Sequence, residues 1–187
     1  MAAQTHDIKQ LEQRMRGVLD TLKREFSGLR TGRASAALLD PITVEVYGQK
    51  MPLNQVANVS VPEPRMIAVQ VWDKGTVSAV DRAIRDSNLG LNPVVDGTLL
   101  RLPIPPLTSD RRQELVKIAH KYAESARVAV RNVRRDGNDT LKKLEKDSEI
   151  SKDDHKKFSS DIQELTDRII KEIEEMLGQK DKEINTV

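Results

Sequence analysis

From Asp7 to Leu29 the apolar residues Ile8, Leu11, Met15, Val18, Leu19, Leu22, Phe26 and Leu29 return at steps of three and four. That spacing puts them on one face of an α-helix. The positions between them are mostly polar, so the segment predicts one amphipathic helix with a narrow seam. After Leu29 the pattern breaks at "RTGRASAALLDP" and the period becomes two. In "ITVEVYG", Ile42, Val44 and Val46 alternate with Thr43, Glu45 and Tyr47. "NVSVPEP", "MIAVQVW" and "TLLRLPI" predict further short strands, separated by Gly, Pro and Asn turns. Among them, "GTVSAVDRAIRDSNLGL" has a helical period through Val77, Val80 and Ile84, which "LGLNP" stops at Gly90 and Pro93.

"LPIPPLTSDRR" closes this α+β segment. Pro103, Pro105 and Pro106 are expected to continue neither a strand nor a helix, and so to form a stiff connector. Thr108 or Ser109 is a suitable helix cap, with Asp110 favourably placed in the first turn. Helical periodicity then runs to about Asp147, with Leu115, Ile118, Tyr122, Ala126, Ala129 and Val133 as its apolar stripe and Leu141 and Leu144 resuming it. "DGND", Asp136 to Asp139, could turn the chain, but Gly137 costs only about 1 kcal/mol relative to Ala. The helix is therefore expected to run through it. Ser151 and Asp154 form a capping-box pattern ahead of a last helix that buries Phe158, Ile162, Leu165, Ile169, Ile173 and Met176. Gly178 is the expected stop.

Three narrow-seamed helices cannot each bury a stripe alone, so they should pack as one three-helix bundle. The expected organisation is a bundle of residues 1–30 and 107–187, with residues 31–106 inserted as a small β/α/β domain. A helix of ~38 residues is ~57 Å long, whereas a compact globule of this chain length has a radius of gyration of ~16 Å. The expected shape is therefore elongated.

Composition supports seams over a thick core. The chain has 187 residues, of which only 3% are aromatic and 32% are charged. There is no cysteine, which excludes disulfides, zinc ribbons and thiol catalysis. "MAAQTHDIKQLEQRM" holds no apolar run of signal-peptide type, and no stretch reaches the ~20 apolar residues of a membrane span. The expectation is a cytoplasmic chain with no membrane partner.

Net charge is only +2, but it is unevenly spread. Arg111 to Lys146 holds 11 Lys and Arg against 5 Asp and Glu, and the chain beyond Lys146 holds 7 against 12. Within "RVAVRNVRRD", with Arg127 set to zero, Arg131 falls near +40° and Arg134 near −20° at about 100° per residue. The apolar stripe from Leu115 to Val133 lies between about 180° and 260°. Arg127, Arg131 and Arg134 are therefore expected to form a row nearly opposite the core, with Arg135 on one flank. Arg111 and Arg112 add charge near the helix start. Val130 falls on the border. A solvated surface partly paired by Glu124 and Asp136 explains such a row. So does a polyanion, because arginine binds phosphate with a planar fork and neighbours on this row stand ~5–6 Å apart. No aromatic interleaves the row, so contacts to a nucleic-acid backbone are expected rather than base stacking.

No catalytic or cofactor motif accompanies it. GxxxxGK, GxGxxG, HExxH and calcium-loop patterns are missing, and His6, His120 and His155 are scattered. The expectation is a non-enzymatic protein without cofactor or metal. A coiled-coil adaptor that binds a helical protein is the alternative to a polyanion reader. It would show an exposed apolar seam.

"RTGRAS", "LLDPITVEVYG", "LGLNP", "RLPIPPLT" and "RVAVRNVRRD" occur in this order along the chain. In these motifs and their separations the chain resembles the bacterial ribosome recycling factor family over nearly its whole length. It departs at Val46, where the family often has an aromatic, and at Asp110, where it often has Glu. The resemblance implies an L-shaped molecule of tRNA-like dimensions, with an antiparallel three-helix bundle as its long arm. It implies a monomer that binds the large ribosomal subunit and its RNA after termination and, with elongation factor G and GTP, separates the subunits. Carried over by position, it implies ribosomal RNA contacts at Arg131 and Arg134, with Arg30, Arg111, Arg112 and Arg127 on the same surface; Arg135, flanking the row, is expected to join them. It implies an interdomain hinge at Thr31, Gly32 and Arg33 and at Pro103, Pro105 and Pro106.

Overall fold

The structure is a computed structural model that describes residues 6–186. In chain order its elements are α1 (Ile8–Gly28), β1 (Thr43–Val46), β2 (Gln49–Pro52), β3 (Ala57–Glu63), β4 (Met66–Val71), α2 (Val77–Arg85), β5 (Val94–Asp96), β6 (Leu99–Pro103), α3 (Ser109–Lys146) and α4 (Lys152–Thr186). The described residues fall into two compact units. One runs to Arg30 and resumes over Asp110 to Asn185; the other is Thr31–Ser109, to which Thr186 also attaches.

The helical unit packs α1, α3 and α4 about one seam. Asp7 caps α1, its carboxylate accepting from the Lys9 and Gln10 amides. Leu11, Met15, Leu19, Leu22 and Phe26 are its buried face. α3 passes through Gly137 without a break, and the reason is packing. A Cβ there would lie 2.7 Å from Leu11 Cδ1 and 3.1 Å from Ile162 Cδ1. The glycine lets α1 and α4 press their side chains onto α3. Ser151 and Asp154 form the expected capping box: Ser151 Oγ accepts from the Asp154 amide, and the Asp154 carboxylate accepts from the Ser151 amide and hydroxyl. The partners Asn138–Ser159, Arg127–Glu174 and His120–Asp181 run in opposite senses along α3 and α4. Glu12–Arg168 and Arg16–Glu172 run in the same sense along α1 and α4. The order is therefore up, down, up.

The other unit holds a four-stranded sheet of order β3-β4-β6-β5 and a separate β1-β2 hairpin. All its pairings are antiparallel. Val44, Ile67, Val69, Leu100 and Leu102 point inward from alternate strand positions, and α2 covers them with Val80 and Ile84. Tyr47 and Gly48, both at positive φ, form the two-residue hairpin turn.

Four expectations need correction. Gly178 does not stop α4, which continues to Thr186 because Leu177 and Ile184 extend its buried stripe. β2 and β5 are additional strands; their exposed residues show no alternation, and their pairing partners define them. Pro103 lies within β6, paired in register with Met66. β5 reaches only to Arg101, so at Pro103 one side of β6 is open and the missing N–H breaks no ladder bond. The buried face of α3 also differs in phase from the expected stripe.

The segments flanking the inserted unit are held. Thr31 is buried. Gly32 has φ +78°, and a Cβ on it would meet Leu107 Cγ at 2.9 Å. Ala34 N donates to Pro64 O at 2.7 Å and Ile104 N to Arg65 O at 2.8 Å. Arg33, Pro105 and Pro106 are exposed.

Candidate nucleic-acid interface

α3 buries Leu115, Ala119, Ala123, Ala126, Val130, Val133, Gly137, Leu141 and Leu144. Ile118, Tyr122 and Ala129 are only half-buried. The seam is thus rotated from the expected stripe toward Ala119, Ala123 and Gly137, small residues that let the helices approach. Val130 is fully buried rather than on the border.

This rotation separates the arginines. Measured from the seam's centre at 100° per residue, Arg134 lies at about 60°, Arg127 at about 80°, Arg131 at about 120° and Arg135 at about 160°. They are not one open row opposite the core. Arg127 and Arg134 flank the seam and reach α4. The Arg127 side chain is only 17% exposed, against 47% for Arg131. Arg127 Nε donates to Glu174 Oε1 at 2.6 Å and Nη2 to Glu174 Oε2 at 3.1 Å, while Nη1 donates to Glu124 Oε2 at 2.7 Å. This fork holds the Glu174 carboxyl below its ordinary range, and the same bonds raise the already high pKa of Arg127. Arg127 is therefore a tie between α3 and α4. Arg134 Nη1 reaches Gln163 Oε1 at 3.4 Å.

Arg131 and Arg135 face outward. Arg131 stands 3.6 Å from Glu124, whose carboxylate also serves Arg127. Among the described residues Arg135 donates only to the Asn132 side-chain oxygen Oδ1, at 3.1 Å. The same outward face carries the exposed Lys117, Lys121, Lys142 and Lys146. The arginine motif does not point to these lysines, but the helical period places them beside Arg135. Arg111 and Arg112 sit in the first turn of α3. Arg111 pairs with Glu114 at 2.9 Å, and Arg112 Nη1 donates to Ile184 O at 2.5 Å. Arg30 is exposed, just beyond α1.

The outward face offers point charges and guanidinium forks on a rigid rod, which suits a row of phosphates. It does not suit a helical protein partner. The seams of α1, α3 and α4 are buried, and among the described residues Val128 is the only large exposed hydrophobic in this unit. Among the described residues no helix is long and apolar enough to cross a membrane. Among them also, no cluster of three or more His, Asp or Glu side chains could hold a metal ion.

A family model described as "Ribosome recycling factor" matches residues 22–184. The chain belongs to the ribosome recycling factor family. Membership makes it a translation factor and not an enzyme. A ribosome-recycling factor of Parvibaculum lavamentivorans is 63% identical over 187 residues, covering all of both chains. That of Xanthobacter autotrophicus is also 63% identical over 187 residues, again with full coverage of both. A solution structure of the ribosome recycling factor is 46% identical, with a TM-score of 0.65 over 96% of this chain and 95% of that one. A further structure describes models for the T. thermophilus ribosome recycling factor and the E. coli elongation factor G bound to the E. coli post-termination complex. It is 45% identical, with a TM-score of 0.57 over 94% of this chain and 95% of that one. The α+β architecture of a helical unit with a small inserted sheet unit is thus that of the family.

Proposed function

We propose that this chain recycles ribosomes after termination. It binds the large subunit through ribosomal RNA along the outward face of α3. With elongation factor G and GTP it then separates the subunits, so that mRNA and tRNA are released. Family membership supports the activity. The T. thermophilus relative, described with elongation factor G on a post-termination complex, supports the partners. The observation that carries the RNA contact is the exposure of Arg131 and Arg135, with Lys142 and Lys146, on the side of α3 away from its packed seam.

The chain supplies no bond-making chemistry in this reading, and the free energy comes from the GTPase partner. The helical unit is the anchored post. The second unit moves on the connectors Thr31–Arg33 and 103–106. Because Pro103 is tied into β6, the second connector of the hinge narrows to Pro105 and Pro106. The chain acts as a monomer in the cytoplasm.

The test is subunit separation, read by sedimentation after mixing purified chain, elongation factor G, GTP and post-termination ribosomes. Separation that requires all three additions is the expected result. Separation no greater than without the chain would overturn the reading. A cross-link that locks the two connectors but leaves ribosome binding intact is expected to abolish separation.

A further inference from the structure

Trp72 is the chain's only tryptophan, and it is 64% exposed. It borders a groove of about 460 Å³ floored by Leu39, Leu53 and Ala57. Asp40, Asn54 and Asn58 stand along the walls. None of these polar side chains, nor the Trp72 indole N–H, makes a hydrogen bond or ion pair among the described residues, and Asp40 is the groove's only charge. An exposed indole face beside an unpaired carboxylate is a site for a cationic side chain.

The groove also runs along an open strand edge. β3 is at one end of its sheet. Trp72 N donates to Val56 O, and Val71 N donates to Thr98 O. In an antiparallel ladder the bonded positions alternate. With Asn58 opposite Gln70 and Ser60 opposite Ala68, it is Asn58 and Ser60 that bond inward to β4. The N–H and C=O groups of Ala57 and Val59 therefore point away from β4, on the side of the groove; Ala57 is only 2% exposed, so Val59 presents the accessible part of the edge. Unpaired strand-edge groups accept an added strand. The backbone edge, the indole and the carboxylate lie within one concave surface.

We infer that this groove takes an extended basic segment of a partner protein. The segment lies extended along β3, bonding to the backbone of Val59. An arginine or lysine of that segment lies over Trp72 and against Asp40. A nucleic acid is disfavoured because its phosphates would meet Asp40 with no cation beside it.

Trp72 makes the test direct, since tryptophan fluorescence reports this groove and nothing else. The full chain is titrated with a capped peptide of alternating arginine and threonine. Parallel titrations use the same peptide with glutamate for arginine, and single-stranded RNA of matched length. The arginine peptide is expected to change the fluorescence saturably and the glutamate peptide not to. Asp40→Asn, which removes an exposed charge with no bond in the fold, is expected to weaken binding about tenfold. Val59→Pro, which deletes an outward N–H but no ladder bond, is expected to weaken it comparably. Circular dichroism checks that both variants are folded. The inference is overturned by no response to the arginine peptide, by equal response to the glutamate peptide, or by RNA binding at least as tight as the peptide. Unaltered binding by folded Asp40→Asn would overturn it as well.

Discussion

Arg127 and Glu174 are joined by two hydrogen bonds of 2.6 and 3.1 Å across α3 and α4. The pair turns a basic residue from a ligand-facing charge into part of the bundle. It also gives a first prediction, with a defined pH dependence. Glu174 is half exposed, so solvent screening keeps the coupling at about 1 kcal/mol or less. A double-mutant cycle with Arg127→Gln and Glu174→Gln, read by denaturant unfolding, should return that coupling near neutral pH. The Glu174 carboxyl titrates lower in the fold than unfolded. Its contribution is therefore complete above the ordinary glutamate value of about 4.3. It is lost as pH falls through the depressed folded value. The wild-type advantage over Glu174→Gln should shrink across that acid window and stay constant above it.

Gly137 is a packing residue. Gly137→Leu places a branched side chain where a single Cβ already stands 2.7 Å from Leu11 Cδ1, and should cost about 1–3 kcal/mol. Gly137→Ala gains about 1 kcal/mol of helix propensity, which offsets the displacement of the flexible Leu11 tip and a smaller shift of Ile162 Cδ1. Its stability should stay near wild type. Chemical denaturation of the three proteins separates a packing role from a turn role, because a turn role would make both substitutions costly.

Gly32 has a different reason to be glycine. Its φ of +78° disfavours any side chain, and Leu107 stands 2.9 Å from where a Cβ would be. Gly32→Ala should destabilise the chain by about 1–2 kcal/mol from the left-handed backbone alone. Gly32→Ala with Leu107→Ala should recover the steric part and leave the backbone part. Thermal melts of the single and double variants measure both.

Much of this was legible in the pattern of apolar positions. The helices, the passage of α3 through Gly137, the Ser151–Asp154 box, β1, β3, β4, β6 and α2 follow from period and turn chemistry. β2 and β5 do not, because exposed residues such as Gln49, Lys50 and Asp96 become strand only through their neighbours. The phase of α3 is hidden from the sequence for a related reason. Ala119, Ala123 and Gly137 contribute little hydrophobicity but allow the closest approach, whereas Ile118 and Tyr122 look like seam and lie on its shoulder. That shift moved Arg127 from the open face to a bond with Glu174, a partner 47 positions away that no local pattern reveals. Family motifs located the arginine cluster but not which of its members are free to bind.

The central claim is that the outward face of α3, and not the arginines beside its seam, meets ribosomal RNA. Ribosome co-sedimentation across a salt series tests it with Arg131→Ala, Arg135→Ala, Arg127→Ala and Arg134→Ala. Removing Arg131 or Arg135 should weaken binding and lower the slope of log affinity against log salt by about 1 each, as loss of a phosphate contact does. Removing Arg127 or Arg134 should change the slope far less, with the loss for Arg127 appearing in stability. Equal slopes for wild type, Arg131→Ala and Arg135→Ala, or a larger slope change for Arg127→Ala, would contradict the account.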